Sequence, residues 1–151
     1  MKSHRSENDY IISPEDKEFF LKNGYVKLDA VLTEEELVEI ERVYDLFKDR
    51  KLDCIAEMGK DYCDMSQDFS TSYDDFALIN AMLPTRYYPE IKNNIYEQLA
   101  GQISRQLLGD DMSFDYDQFL TKRPNKGKAA FAMHQDMGYW PITADTRTAT
   151  C

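Results

Sequence analysis

The run Met133-His134-Gln135-Asp136-Met137-Gly138-Tyr139-Trp140-Pro141 sets a histidine and a carboxylate two residues apart in apolar and aromatic surroundings. On an extended strand, residues i and i+2 project from one face. His134 and Asp136 can therefore converge on a single point. An imidazole nitrogen and a carboxylate oxygen are two of the three protein ligands in the 2-His-1-carboxylate arrangement, which leaves positions on Fe(II) open. Those positions would take a co-substrate and dioxygen. The third ligand would be another histidine, and the chain holds one other, His4, near a polar N-terminus. Either the metal reading fails, or the chain ends before its active site is complete. A His-x-Asp triplet also arises as a plain imidazole–carboxylate hydrogen bond with no metal. The triplet alone leaves both open.

The elements that must position this triplet are partly legible. Ser13-Pro14-Glu15-Asp16 combines an N-cap, a proline suited to the first helical position and acids that favour the helix dipole. It predicts a helix over 14–23, stopped at Asn23-Gly24. Tyr25 to Leu28 reads as a short strand. Thr33-Glu34-Glu35-Glu36 is a capping box opening a helix over 34–50, with Leu37, Ile40, Tyr44 and Phe47 as its apolar stripe. Leu52 to Asp75 shows no clean period and reads as a long loop with short irregular pieces. Ile91, Ile95, Leu99, Ile103 and Leu107 predict a helix over 90–108, with Gly109 as its stop.

The texture then changes to strands. A strand over 113–122 would carry Phe114, Tyr116, Gln118, Leu120 and Lys122 on one face. Turn chemistry follows at Arg123-Pro124-Asn125-Lys126-Gly127-Lys128. A returning strand over 129–136 leads into His134, and Thr146, Thr148 and Thr150 alternate as though another were under way. Helices come first, strands last, with no βαβ rhythm. That order predicts an α+β fold with helices packed on an antiparallel, incomplete sheet.

Composition narrows the function classes. The 151 residues suit one modest domain or part of a larger one, and ten tyrosines with eight phenylalanines argue against disorder. A net charge of −10 disfavours nucleic acid, which needs clustered Lys and Arg. No apolar run approaches membrane-spanning length and no signal peptide is evident, so a cytoplasmic protein is the default expectation. Cys54, Cys63 and Cys151 form no Cys-x-x-Cys pair; reduced thiols fit better than a zinc site or a disulfide.

Three segments together resemble a known family. They are Phe19-Phe20-Leu21-Lys22-Asn23-Gly24-Tyr25-Val26-Lys27-Leu28 running into Val31 to Leu37, then Gln118-Phe119-Leu120-Thr121-Lys122-Arg123-Pro124, and finally His134 to Pro141. In that order and spacing the chain resembles the N-terminal part of a phytanoyl-CoA dioxygenase-like (PhyH) Fe(II)/2-oxoglutarate oxygenase. The resemblance implies a double-stranded β-helix, or jelly roll, buttressed by N-terminal helices. It implies that His134 and Asp136 are the first two iron ligands. Gln135 falls on a 2-oxoglutarate contact and Gln118 on another position lining that pocket, while Lys122 falls on a basic position of the same strand, whose charge could attract an acidic co-substrate or substrate. On an ideal strand Gln135 would face away from its neighbours, so the backbone is expected to bend there. For Lys122 a solvated turn lysine is an equal alternative. Tyr139 and Trp140 either line the substrate mouth or pack its rim.

The implied partners are dioxygen and a small-molecule or acyl substrate, which is hydroxylated as 2-oxoglutarate is oxidised to succinate and CO2. The family's distal histidine and its carboxylate-pairing arginine have no counterpart here. Residues 1–151 are therefore expected to be the N-terminal portion of one such domain. Halogenating relatives replace the carboxylate of the triplet by a small residue; Asp136 is present, which disfavours halogenation. Two other classes compete: a non-catalytic jelly-roll binding protein with a vestigial metal site, and an acidic interaction domain with no metal.

Overall fold

The computed structural model describes residues 2–126, 133–138 and 147–151. Along the chain run β1 (His4–Ser6), β2 (Asp9–Ile11), α1 (Pro14–Asn23), α2 (Glu34–Lys48), α3 (Ile55–Met58), β3 (Tyr62–Cys63), β4 (Leu78–Met82), α4 (Pro84–Tyr87), α5 (Ile95–Leu108) and β5 (Gln118–Lys122). Short 3₁₀ turns occupy Gly59–Asp61, Tyr73–Asp75, Pro89–Ile91 and Asp136–Gly138. The fold is mixed helix and antiparallel sheet. Two compact units divide it: Met1–Ile40 with Ile91–Asp115 and Arg147–Cys151, and Glu41–Glu90 with Tyr116–Thr146.

In the first unit the expected caps are made. Ser13 Oγ accepts from the Asp16 N–H at 3.0 Å, and Gly24, at φ 78°, closes α1 on the Phe20 carbonyl at 2.7 Å. Thr33 and Glu36 form the reciprocal capping box: Glu36 N donates to Thr33 Oγ1 at 3.3 Å, and Thr33 N donates to Glu36 Oε2 at 2.8 Å. α5 begins at Ile95 rather than 90, because Asn94 takes the cap, accepting from Glu97 N at 3.0 Å.

The polar N-terminus is no loose tail. It folds into the β1–β2 hairpin, with Arg5 ion-paired to Glu36 at 2.9 Å and Tyr10 only 1% exposed. The turn needs a positive φ, which Glu7 supplies at 53°. Two glutamines of α5 serve β2 and the residues beside it as a neighbouring strand would. Tyr10 N donates to Gln102 Oε1 at 3.1 Å, Ile12 N donates to Gln106 Oε1 at 3.0 Å, and Gln106 Nε2 donates to the Tyr10 carbonyl at 2.6 Å. The edge is thereby covered. Gln106→Ala leaves two of these backbone groups without a partner and is expected to cost about 1–3 kcal/mol; a chemical denaturation curve within a few tenths of wild type would show the contacts to be incidental.

The expected strand at Tyr25 to Leu28 is absent: the segment has no ladder partner among the described residues, and Tyr25 instead sets its ring edge-on to Phe19. Residues 147–150 form no strand either.

The second unit is built on the sheet β3-β4-β5, antiparallel throughout, with β4 in the centre. Ile79, Ala81, Phe119 and Thr121 share one face by register. The C-terminal half of α2 packs there: Phe47 lies against Phe119 at 5.5 Å, and Thr121 Oγ1 donates to Tyr44 Oη at 2.6 Å. Val43 and Phe47 are the buried residues of α2, whereas Leu37 is 44% exposed, so the predicted stripe holds only in its later turns. Between Leu52 and Asp75 the chain is irregular, as expected, but not loose. Asp64, 1% exposed, accepts from the N–H groups of Ala77 (2.6 Å), Leu78 (3.1 Å) and Ser66 (2.8 Å), and from the side chains of Ser66 and Gln67. This carboxylate ties the loop to the start of β4.

β5 is shorter than the expected 113–122. Asp117 ends the preceding stretch as a clamp: its carbonyl accepts from Leu83 N at 2.9 Å, and its carboxylate accepts from Thr85 N and Thr85 Oγ1, each at 3.1 Å. A residue so engaged with the α4 N-terminus begins a strand rather than sitting inside one. The expected strand over 129–136 is corrected where it is described. Residues 133–135 are non-strand and Asp136 opens a 3₁₀ turn, while 129–132 lie outside the described residues.

Candidate active site

His134 and Asp136 are brought together by a turn. Gly138 N donates to the Gln135 carbonyl at 2.9 Å, closing the 3₁₀ turn Asp136–Gly138 immediately after the histidine. His134 Nε2 then lies 3.3 Å from Asp136 Oδ1, with side chains 39% and 60% exposed. The convergence expected from strand alternation is present, but its cause differs. The bend anticipated at Gln135 is the turn itself, so the alternation that would send Gln135 to an opposite face does not apply.

The separation suits a shared cation. Two neighbouring ligands on an octahedral ion with bonds of about 2.1 Å stand roughly 3 Å apart. Both donors are also of the types that bind Fe(II) with open positions. The two residues therefore fit as two ligands of such a group. Among the described residues no cluster of three or more His, Cys, Asp or Glu side chains could hold a metal. The other histidine, His4, sits in β1 of the first unit, its Nδ1 3.1 Å from the Lys2 carbonyl.

Gln118 and Lys122 form the second grouping. Both belong to β5, with Leu120 between them, and all three share its exposed face. Gln118 Oε1 accepts from Tyr116 Oη at 3.2 Å. All five expected site residues lie in the second unit. Tyr139 and Trp140 lie outside the described residues.

The sheet also presents a polar residue that sequence reasoning passed over. Asn80 is 0% exposed in the middle of β4, and its register partners are Cys63 and Leu120. Its side chain therefore lies on the Gln118–Lys122 face. The signal was available in the apolar run Phe76 to Met82, a buried-strand pattern interrupted by a single amide.

With this geometry in place, the comparisons decide the family. The sequence profile of the phytanoyl-CoA dioxygenase (PhyH) family matches residues 20–151. The chain belongs to the PhyH family. No curated protein and no solved structure matches it. Membership of the PhyH family points to a dioxygenase-like enzyme, with dioxygen and a small molecule as the partners. The matched span contains every site residue named above, together with α2, α5 and the whole β3-β4-β5 sheet. Among the described residues, no helix of this PhyH chain is long and apolar enough to cross a membrane. Cys54, Cys63 and Cys151 are free thiols, and burial raises the Cys63 thiol above its ordinary value, helped by the Asp64 carboxylate.

Proposed function

We propose that this chain is the N-terminal portion of an Fe(II)/2-oxoglutarate-dependent dioxygenase domain that hydroxylates a small-molecule or acyl substrate. One observation carries the reading: in a PhyH-family chain, the His134 imidazole and the Asp136 carboxylate meet at 3.3 Å in the turn of the expected iron signature. The β3-β4-β5 sheet is then part of a double-stranded β-helix, and the third ligand comes from sequence beyond Cys151. Bound Fe(II), with 2-oxoglutarate and dioxygen, supplies oxidative decarboxylation coupled to hydroxylation of a C–H bond.

The chain's own residues bind and orient. His134 would ligate through a neutral imidazole and Asp136 through an ionised carboxylate. Lys122 offers a cation to an acidic co-substrate, and Gln118 an amide, from the same strand face. Gln135 lies between the two ligands in the chain, where its side chain can meet the co-substrate bound beside them.

A chain extended past Cys151 by a segment bearing a histidine and an arginine is expected to bind Fe(II) and to release succinate from 2-oxoglutarate. Tight binding without succinate would favour the second reading, a non-catalytic binding protein with a vestigial metal site. The exposure of His134 and Asp136 is what speaks for that alternative, since oxygenase chemistry is favoured by a site closed to water. An extended chain that binds no metal ends both.

A further inference from the structure

Three cations gather around one tyrosine of the second unit. The Arg50 guanidinium lies 4.8 Å from the centre of the Tyr73 ring and 6.0 Å from that of Tyr62. The Arg123 guanidinium lies 4.3 Å from the centre of the same Tyr73 ring. Both charges draw down the pKa of the Tyr62 hydroxyl, against the burial that raises it. Lys126 stands beside them, its Nζ donating to the Asp74 carbonyl at 2.5 Å, while Arg123 Nη1 donates to the Tyr73 carbonyl at 3.0 Å. The neighbouring acids do not neutralise the group. Asp49 pairs with Lys51 at 3.1 Å, and among the described residues neither Asp74 nor Asp75 forms an ion pair with Arg50, Arg123 or Lys126. In a chain with 28 Asp and Glu against 18 Lys and Arg, three clustered cations without a carboxylate are unexpected.

The platform beneath them is fixed. The hydroxyls of Tyr62 and Tyr73 donate to the Phe47 and Lys48 carbonyls, at 2.9 and 2.6 Å, in the last turn of α2. A guanidinium stacked on a held ring keeps its in-plane N–H donors free for an oxyanion. Arg50 also sits at φ 54°, the left-handed backbone with which helices commonly end on glycine. An arginine there is strained, and strain retained in a fold points to a use for the side chain. Arg123 extends the alternation of β5 beyond Phe119 and Thr121, its N–H donating to the Ala77 carbonyl at 2.9 Å. It therefore falls on the α2 side of the sheet, opposite Gln118 and Lys122.

We infer that Arg50, Arg123 and Lys126 form a second ligand site, which takes the dianionic phosphate group of a small molecule on the α2 side of the sheet. Two guanidinium forks suit tetrahedral oxygens, and three positive charges suit a dianion better than a single carboxylate. The site does not depend on the His134–Asp136 pair and lies across the sheet from the proposed co-substrate face.

The test is calorimetric titration of the full chain with inorganic phosphate, in chloride buffer of matched ionic strength. Saturable binding is expected, with a rise in Tm as phosphate is added. A net charge of −10 repels anions in general, so saturation marks a local site. Arg50→Gly and Arg123→Gln are each expected to weaken phosphate about tenfold or more, the loss of a charge-assisted contact. Glycine accepts the left-handed backbone without strain, so the phosphate-free Tm of Arg50→Gly should hold. Absence of saturable binding by the wild-type chain overturns the inference, as does undiminished affinity in both variants. A lower Tm for Arg50→Gly in a protein whose wild type ignores phosphate makes the stack a structural latch on the loop, and overturns it too.

Discussion

Replacing His134 or Asp136 with alanine is expected to reduce succinate release to background in the extended chain while leaving stability unchanged. The two halves of that expectation come from different links of the argument. The side chains are 39% and 60% exposed, and an imidazole–carboxylate pair at a surface contributes about 0–1 kcal/mol at most. Both side chains are partly exposed, so each substitution should stay within about 0.5 kcal/mol of wild type in a denaturant titration. Metal ligation is far less tolerant. Only two protein donors of the required type converge in this turn, and selectivity for Fe(II) over other divalent ions depends on the geometry of the full ligand set. Removing one leaves two protein donors in the extended chain, one from this turn and the distal histidine, too few to fix the ion in that geometry. The unextended chain, with two donors, is expected to bind Fe(II) weakly and to release no succinate. Without the distal arginine, an acidic co-substrate also lacks a bidentate partner. Turnover surviving in His134→Ala, or succinate released by the unextended chain, would show that iron is held by a different donor set. A collapse of stability in either variant would instead mark the pair as structural.

Asp64→Ala should produce the largest loss of stability in the second unit, about 3 kcal/mol. Two buried backbone N–H groups, those of Ala77 and Leu78, lose their acceptor, at about 1–3 kcal/mol for each unmet group. The Ser66 and Gln67 contacts go with them. The pH dependence is a separate test. Burial pushes the Asp64 carboxyl upward, but the Ser66 hydroxyl and the Leu78, Ser66 and Ala77 N–H groups outweigh it, so the folded pKa lies below the ordinary 3.8. A carboxyl depressed on folding contributes stability that is fully present above its unfolded value and is lost as pH falls through its folded one. Wild type should therefore weaken on acidification below about pH 4, the ordinary carboxyl range. Asp64→Asn, which cannot ionise, should be weaker at neutral pH and lose less of its remaining stability in acid. Parallel acid limbs for the two proteins would remove Asp64 from the account.

These two carboxylates show why exposure matters when the sequence is read for function. Asp64 is buried, multiply bonded and placed at the foot of a strand; its effect is on the fold. Asp136 is exposed and meets an imidazole; its removal should matter only where a ligand is involved. Both are aspartates followed by a methionine, and the histidine two residues before Asp136 is the local sign that tells them apart.

What local chemistry dictates was legible in the sequence. The Ser13 cap, the Gly24 stop and the Thr33–Glu36 box use contacts within a few residues, so α1 and the start of α2 could be read directly. The Gly109 stop and the periodicity of α5 are of the same kind. The three motifs of the PhyH resemblance also lie in short segments, and the family match covers them from Phe20 onward. Long-range pairing decided the rest. The β1–β2 hairpin holds through α5 glutamines more than ninety positions away in the chain, and no pattern within His4 to Ile11 announces that partner. β4 becomes the centre of a sheet only because Asp64 anchors its start and β5 returns to pair with it. β5 begins at Gln118 because Asp117 is held by Leu83 and Thr85. His134 and Asp136 had their meeting written in a spacing of two, yet a turn rather than strand alternation accomplishes it. The burial of the Asn80 amide exists only in three dimensions, since burial is a property of what surrounds a residue.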